Sequence, residues 1–507
     1  MVQGDKLNPH LRNIYGIKEN DIFIEEQINA KELVTHDRID LIAKIKYVEH
    51  MDKGYDMEFA TELYKKHIEA FSLGSFSEGD LSGKTNFDAY LTTFNQLIFS
   101  IKNHKFDKNI SVVPVDSKGT IIDGAHRTAI AAYYNMDITI IRLNISSNKY
   151  GAKFFKDRLL DVDMLDYMIL EYCKFKSNTY FICVWPIVNK QKLKYIEKYI
   201  KHRTKIVYKK KINLNYNGLK YFIIQIYSHQ SWIGSIDDKY KGTKSKVRDC
   251  FSEGSSLYGY VVEIDNFNDL LELKQVIRQL MELGNNSIHS SDNQKETIEM
   301  GQILLNNNSI HLLNYGNPYL YKNFIKKVTV FKNLIYKSKG NIENTVIDSS
   351  GILGLYGLRE PSDIDFLSND PTTIKIKNKY IDNHNKYLNY YKGYSLDNLI
   401  FNPKNYLYFM NIKFLTLENI KLFKKCRAES KDKTDIILID SIIKKDAYMM
   451  FKYKVKVYIQ RKFRNFKHYV KPKLIFLLKM LKLYKITKNM WHYLKSFYKF
   501  KYYNYNI

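Results

Sequence analysis

Apolar positions recur every three to four residues through 33–72, at Leu41, Ile42, Ile45 and Tyr47 and then at Phe59, Leu63, Tyr64, Ile68 and Phe71. That spacing predicts two amphipathic helices. After a polar break from Gly74 to Lys84, the stretch 87–101 returns to the helical period. Residues 110–115 and 120–122 then read as short strands joined by the turn Asp116-Ser-Lys-Gly119. Asp123-Gly-Ala-His-Arg127 opens a helix of small residues over 128–134, and 138–143 is a further strand.

The pattern stays mixed from 155 to 320, with strands expected at 180–184, 221–227 and 259–264 and a helix over 270–283. Asn-Asn-Ser-Ile-His occurs twice there, at 285–289 and 307–311, and reads as two similar strand-entry loops that bring His289 and His311 toward one cleft. A third stretch carries strands at 344–348, 363–367, 373–376 and 406–409 and helices at 417–426 and 435–443. The fold class expected is therefore α/β and α+β in several domains: 1–150, a mixed α/β middle domain 151–320, a mixed-sheet domain 321–446, and a basic helical tail 447–507.

Charge sharpens that division. The 507 residues carry a formal net charge of +27, and 447–507 holds 16 Lys and Arg with no acid after Asp446. A basic appendage on a nearly ordinary body suggests one local contact with an anionic surface rather than nucleic acid throughout. With 45% hydrophobic residues and only 8 Pro, a wholly disordered or collagen-like chain is excluded. The four cysteines, Cys173, Cys183, Cys250 and Cys426, form no CxxC pair, which argues against a disulfide framework or structural zinc. The first residues lack an apolar core of the signal-peptide kind, and the apolar stretch 474–484 is broken by Lys479 and Lys482 and too short to span a bilayer. The location expected is cytoplasmic, peripheral to the inner face of the membrane.

Two constellations carry chemistry. In Asp123-Gly124-Ala125-His126-Arg127 a strand turns into a helix, where backbone amides and a guanidinium suit phosphate oxygens. The helix 87–101, the Pro114-Val115 strand, the Gly119 turn and this box together resemble the core of the ParB/sulfiredoxin superfamily over about residues 85–145. The resemblance implies that Gly124, His126 and Arg127 bind nucleotide phosphates. Sulfiredoxin's cysteine has no counterpart, because Ala125 stands in the box, and a kinase-like member needs a carboxylate base, for which Glu78 is available.

In the second constellation, 349–366, Asp363 and Asp365 stand two apart in an apolar strand, so both carboxylates share a face. Like charges that close are costly unless a cation joins them, and Mg²⁺ takes such hard oxygen ligands. With Ser350, Gly351, Arg359 and Ser362 the stretch resembles the nucleotidyltransferase superfamily of the DNA-polymerase-β type. That implies catalytic Asp363, Asp365 and Arg359, a metal on Asp363 and Asp365, and nucleotide contacts from Ser350, Gly351 and Ser362. The usual Gly-Ser order is reversed at Ser350-Gly351, and Asp397 is the nearest candidate for a third carboxylate. Downstream, Lys413-Phe414 and Lys431-Asp432-Lys-Thr-Asp435 resemble accessory helices of small transferases in that superfamily.

The basic loop 234–248 is not a P-loop, and His289 with Asp292 and Glu296 is a metal or acid/base candidate that also reads as a polar loop. The function expected is Mg²⁺-dependent nucleotidyl or phosphoryl transfer from ATP or CTP to a small-molecule or phosphosugar acceptor, in bacterial surface-polysaccharide or envelope-precursor synthesis. The tail meets an anionic membrane, with nucleic acid the lesser candidate. The alternatives are a ParB-like nucleotide-switched nucleic-acid-binding regulator and a noncatalytic scaffold of vestigial folds.

Overall fold

The computed structural model describes residues 1–77 and 84–443 and, in the C-terminal segment, Val455, Ile459, Val470, 473–483 and 485–490. The chain divides into two compact units, Met1–Ile442 and Ile443–Ile507. The larger is mixed α/β, with helices outweighing strands and four small sheets. One is only the pairing of Val2–Gln3 with Ile22–Phe23.

The second sheet takes β1 (Glu25–Asn29), β2 (Val113–Val115) and β3 (Asp137–Arg142) in the order β1-β3-β2. Helices α1 (Asp40–Lys53), α2 (Glu58–Phe71), α3 (Phe87–His104) and α4 (Ala125–Tyr133) accompany it. Tyr47, Tyr64, Phe94, Ile98 and Ile130 interlock between them as a buried core. The helical period of 33–72 and 87–101 thus forms the helices it predicts. Of the expected strand 120–122, only a bridge from Ile121 to Val115 forms.

The third sheet is antiparallel throughout, built from β4 (Thr179–Val184), β5 (Lys205–Ile212), β6 (Leu257–Glu263) and β7 (Ile288–Ser290) in the order β5-β6-β4-β7. Helix α5 (Val162–Phe175) precedes it, and α6 (Tyr216–Ile226), α7 (Phe267–Met281), α8 (Gln294–Leu304) and α9 (Asn307–Tyr315) surround it. Two expectations fail here. Residues 221–227 belong to α6, not a strand: the apolar run is buried nearly all round, Asn215 caps it, and a Cβ at Gly218 would lie 2.3 Å from Asn314. The second Asn-Asn-Ser-Ile-His opens α9, because the Asn306 side chain accepts from the Ser309 amide at 2.8 Å, whereas the first enters β7 as expected.

After α10 (Lys322–Lys337), the five-stranded sheet comprises β8 (Thr345–Ile347), β9 (Ile364–Ser368), β10 (Ile381–Asn383), β11 (Tyr406–Phe409) and β12 (Ile412–Leu415), ordered β10-β9-β8-β12-β11. The pairs β8–β9 and β11–β12 are antiparallel, and β8–β12 and β9–β10 are parallel. The expected strand 373–376 is instead the short helix Pro371–Ile374, which Asp370 caps through the Thr373 amide at 2.8 Å.

Partly buried charges tie these stretches together. Lys174 of α5 is 2.9 Å from Glu171 and 3.1 Å from Glu343, while Lys46 of α1 reaches Glu171 at 3.0 Å. Lys413 of β12 donates to the Glu343 carbonyl at 2.7 Å and to that of Ile400 at 3.0 Å. Asn344 donates to Tyr55 at 2.7 Å, and Asp397 accepts from the Asp56 amide at 2.7 Å.

Candidate functional site

Gly124 caps α4 with φ +89, a backbone state that disfavours side chains, and a Cβ there would lie 2.9 Å from Arg127 Nη2 and 3.2 Å from Val113. The glycine therefore lets the Arg127 guanidinium fold back over the helix start. That guanidinium donates to the Ser111 hydroxyl and the Val112 carbonyl and pairs loosely with Asp123 at 3.5 Å. His126, one residue earlier, holds the Tyr64 hydroxyl at 2.8 Å through Nε2. Burial, reinforced by Lys44, keeps its pKa well below the usual imidazole range.

All three residues line a cavity of about 440 Å³, within the usual range of small-molecule sites. Arg38, Lys44, Lys84, Asp40 and His67 are among the polar residues of its wall. Arg38 clamps Asp40 through two hydrogen bonds of 2.8 and 2.9 Å, and Lys44 reaches Asp40 at 3.0 Å and His67 at 3.2 Å. Burial alone raises the pKa of Asp40, but Arg38 and Lys44 outweigh it and hold the carboxylate far below its ordinary value. Burial likewise keeps His67 neutral. Four permanent cations, Arg38, Lys44, Lys84 and Arg127, thus face two carboxylates, Asp40 and Asp123. The excess favours an anionic occupant. Glu78, the expected carboxylate base, lies outside the described residues.

The second constellation has a different centre from the one its motif suggests. Asp365 lies within β9 and Asp363 just before it. Register continues the pairing of Ile347 with Phe366, so Asp348 stands opposite Asp365, its amide donating to the Asp365 carbonyl at 2.8 Å. The two carboxylates share His384, which follows β10: Nδ1 is 3.3 Å from Asp348 and Nε2 3.1 Å from Asp365. Burial works against charge on this imidazole, yet the bonds to Asp348 and Asp365 outweigh it and push its pKa up to about 10. Asp348 also accepts from the Tyr391 hydroxyl and the Ser349 amide. A cation does join the carboxylates, but it is a side chain. Among the described residues no group of three His, Cys, Asp or Glu is arranged to hold a metal ion.

The remaining motif residues are distributed around this cluster. Ser350 and Gly351 are buried at the start of the short helix Gly351–Leu355, where a Cβ on Gly351 would meet Ile347 at 2.6 Å. Ser362 is exposed; its hydroxyl donates to Asp363 at 3.0 Å and its carbonyl accepts from Lys327 at 2.5 Å. Arg359 is engaged elsewhere, forked onto Asp435 at 2.9 and 3.1 Å. Asp435 and Asp432 also hold Lys424 at 2.7 and 3.2 Å, so the accessory acids act as an ion-pair clamp. Asp397 accepts from Asn369 at 2.5 Å and stands apart from the cluster. Sequence reasoning missed Asp348, His384 and Tyr391. The antiparallel pairing of two strands it did place, 344–348 with 363–367, was the signal for Asp348.

The Cys residues are all free, and Cys173, Cys183 and Cys250 are buried. His289 and His311 part company: His289 lines a cavity, whereas His311 bonds the Tyr356 hydroxyl at 2.6 Å. In the tail, the described residues expose Leu474, Phe476, Leu477, Leu481 and Leu483. Asp446, Tyr484 and most of 447–507 lie outside the described residues, among which no helix is long and apolar enough to cross a membrane. Comparison with family models, with curated proteins and with solved structures finds no match for this chain.

Proposed function

We propose that this chain transfers a nucleotidyl or phosphoryl group to a small molecule, and that it grips nucleotide phosphates at Gly124, His126 and Arg127. The observation that carries the reading is the shared cavity: the three residues matched to the phosphate box line it together with Arg38, Lys44 and Lys84. Neutral His126 offers a hydrogen bond there without a fixed charge, while the open helix start and the cations suit the oxygens of ATP or CTP. In this reading the first 150 residues are a ParB/sulfiredoxin-like domain and 321–446 a nucleotidyltransferase-like domain around the middle domain 151–320.

Mg²⁺ belongs to the proposal as the partner of the triphosphate, and it would neutralise charge on the phosphates. Asp363 and Asp365 are the residues that would hold it, since each keeps one carboxylate oxygen clear of hydrogen bonds to the described residues. His384 orients Asp365 through its other oxygen. The acceptor is a phosphosugar-class small molecule of envelope or surface-polysaccharide synthesis, and the tail 447–507 brings the protein to an anionic membrane surface. Calorimetry with ATP and CTP, with and without Mg²⁺, tests the reading: saturable binding weakened about tenfold or more by Arg127→Ala supports it, and no binding of either nucleotide ends it.

A noncatalytic binding protein is the second reading. It is favoured by His384, which already supplies the positive charge that Asp348 and Asp365 require. Nucleotide binding at 124–127 without any turnover would select it.

A further inference from the structure

A second cavity, of about 430 Å³, opens between the end of α6, β7, the start of α8, α10 and the β11–β12 turn. It shares no lining residue with the cavity at 123–127. His289 of β7 is fixed in its wall from behind. Its Nδ1 is 3.0 Å from the Tyr227 hydroxyl, and the Tyr227 and Trp185 rings pack against the imidazole at 4.9 and 6.2 Å. The Nε2 edge makes no hydrogen bond to any described residue and is not sealed in the core. Burial, with Lys274 adding to it, pushes the pKa of His289 down to about 3, so the ring is neutral at physiological pH. A neutral, oriented imidazole with one free nitrogen is a hydrogen-bonding group for an uncharged partner.

The rest of the wall states what that partner is. Two carboxylates, Glu296 and Glu299, are balanced by two ammonium groups, Lys295 and Lys332. A multiply charged anion would meet the acids, and a compact cation would meet the lysines. Asn293 is tied to Glu296 by two hydrogen bonds and Asn411 donates to Glu299 at 2.5 Å, which leaves the Asn411 side-chain carbonyl and one Glu299 oxygen without a hydrogen bond to any described residue. Tyr240 and Tyr319 stand edge to face at 4.9 Å and give the cavity an aromatic side. Alternating donors and acceptors beside an aromatic surface match a ligand with many hydroxyls and an apolar C–H face.

We infer that this cavity is a second small-molecule site, for a neutral polyhydroxylated ligand of sugar size, in which His289 Nε2 bonds a ligand hydroxyl. Nothing in it depends on nucleotide binding at 123–127, so either can stand without the other.

The test uses the full chain and a panel of methyl glycosides (gluco, galacto and manno, both anomers) in saturation-transfer NMR. In parallel, His289 is carbethoxylated with diethyl pyrocarbonate at pH 6, where a neutral imidazole reacts and ordinary histidines are largely protonated. At least one glycoside is expected to give transfer and to slow modification of His289 several-fold, with inorganic phosphate at equal concentration giving no protection. His289→Gln and, as a second variant that leaves the Tyr227 pair untouched, Glu299→Gln should each weaken binding about tenfold or more with unchanged circular dichroism. If no glycoside of the panel binds, if phosphate protects equally, or if binding survives Glu299→Gln in full, the inference is overturned.

Discussion

Asp348 and Asp365 face each other across the β8–β9 pair, and one imidazole, His384, is hydrogen-bonded to both. Two carboxylates on adjacent strands repel unless positive charge lies between them. Here that charge is covalently part of the chain, and it arrives on the residue that follows β10. The motif pair Asp363 and Asp365 is thereby split: one carboxylate is built into the cluster, the other is left at the strand entry.

That split separates two variants that the motif alone treats alike. Asp365→Asn removes the partner of a buried charged group and should cost about 1.5–3 kcal/mol of stability. Asp363→Asn perturbs one exposed hydrogen bond, from the Ser362 hydroxyl, and should stay within about 0.5 kcal/mol. Both should abolish Mg²⁺-dependent nucleotide turnover. Urea titration and a turnover assay check the pair; equal stability of the two variants contradicts the His384 bridge, and normal turnover in both removes the transfer reaction.

At the phosphate box, Arg127→Ala should weaken nucleotide binding by about 1.5–3 kcal/mol, the range for a lost charge-assisted hydrogen bond. Gly124→Ala should act more on the fold, since a side chain at positive φ costs roughly 1–2 kcal/mol and its Cβ also crowds Arg127. Calorimetry for affinity and thermal melts for stability separate the two. Unchanged affinity in Arg127→Ala would exclude this cavity as the nucleotide site.

The partly buried charges around Glu343 make stability depend on pH. Burial alone raises the pKa of Glu343, but Lys174 and Lys413 outweigh it and bring it down from 4.5 to about 2. The unfolded chain therefore binds the proton first on acidification. The contribution is fully present above pH 4.5 and is lost as the pH falls toward 2. Lys413 has the same sign at higher pH: burial lowers it from 10.5 to about 8, so the folded chain gives up this proton first and stability again rises with pH between about 8 and 10.5. Glu343→Gln should flatten the acid limb of a plot of urea midpoint against pH. An unaltered acid limb would show that the network contributes nothing.

Deleting 447–507 should abolish flotation with anionic liposomes while leaving nucleotide binding intact. High salt should weaken flotation of the full chain without eliminating it, because each Lys or Arg near the leaflet is worth roughly 1 kcal/mol and the exposed Leu and Phe residues add burial that salt does not screen. Full-length protein that fails to float at low salt contradicts membrane contact. Steeply salt-dependent oligonucleotide binding in its place would favour nucleic acid.

Periodicity was a sound guide where it met a single burial demand. Helices α2 and α3 lie where spacing placed them because one face of each is core, while α1, β9 and β11 lie where their apolar residues placed them although they are buried on nearly every side. It misled at Tyr216–Ile226, where an apolar run buried almost all round looks the same as a strand, and at Pro371–Ile374, where Asp370 and Pro371 outweigh the β-branched residues that follow. The box at 123–127 was legible because its residues are neighbours in sequence. Its anionic counterweight Asp40 and the cations Arg38 and Lys44 were not, since only the packing of α1 against α4 brings them there. His384 was hidden for the same reason: nothing local in Asn383-His384-Asn385 marks a residue that bridges two strands.

The Glu343 network also bears on how the polypeptide can be dissected in the laboratory. Lys46, Glu171, Lys174, Glu343 and Lys413 come from stretches far apart in sequence, yet each is ion-paired within the set. A truncation at residue 150 would part Lys46 from Glu171, and one at residue 320 would part Lys174 from Glu343, so the excised fragment would lose those ion pairs. Expression trials should therefore keep Met1 to Ile442 intact and trim only the basic end.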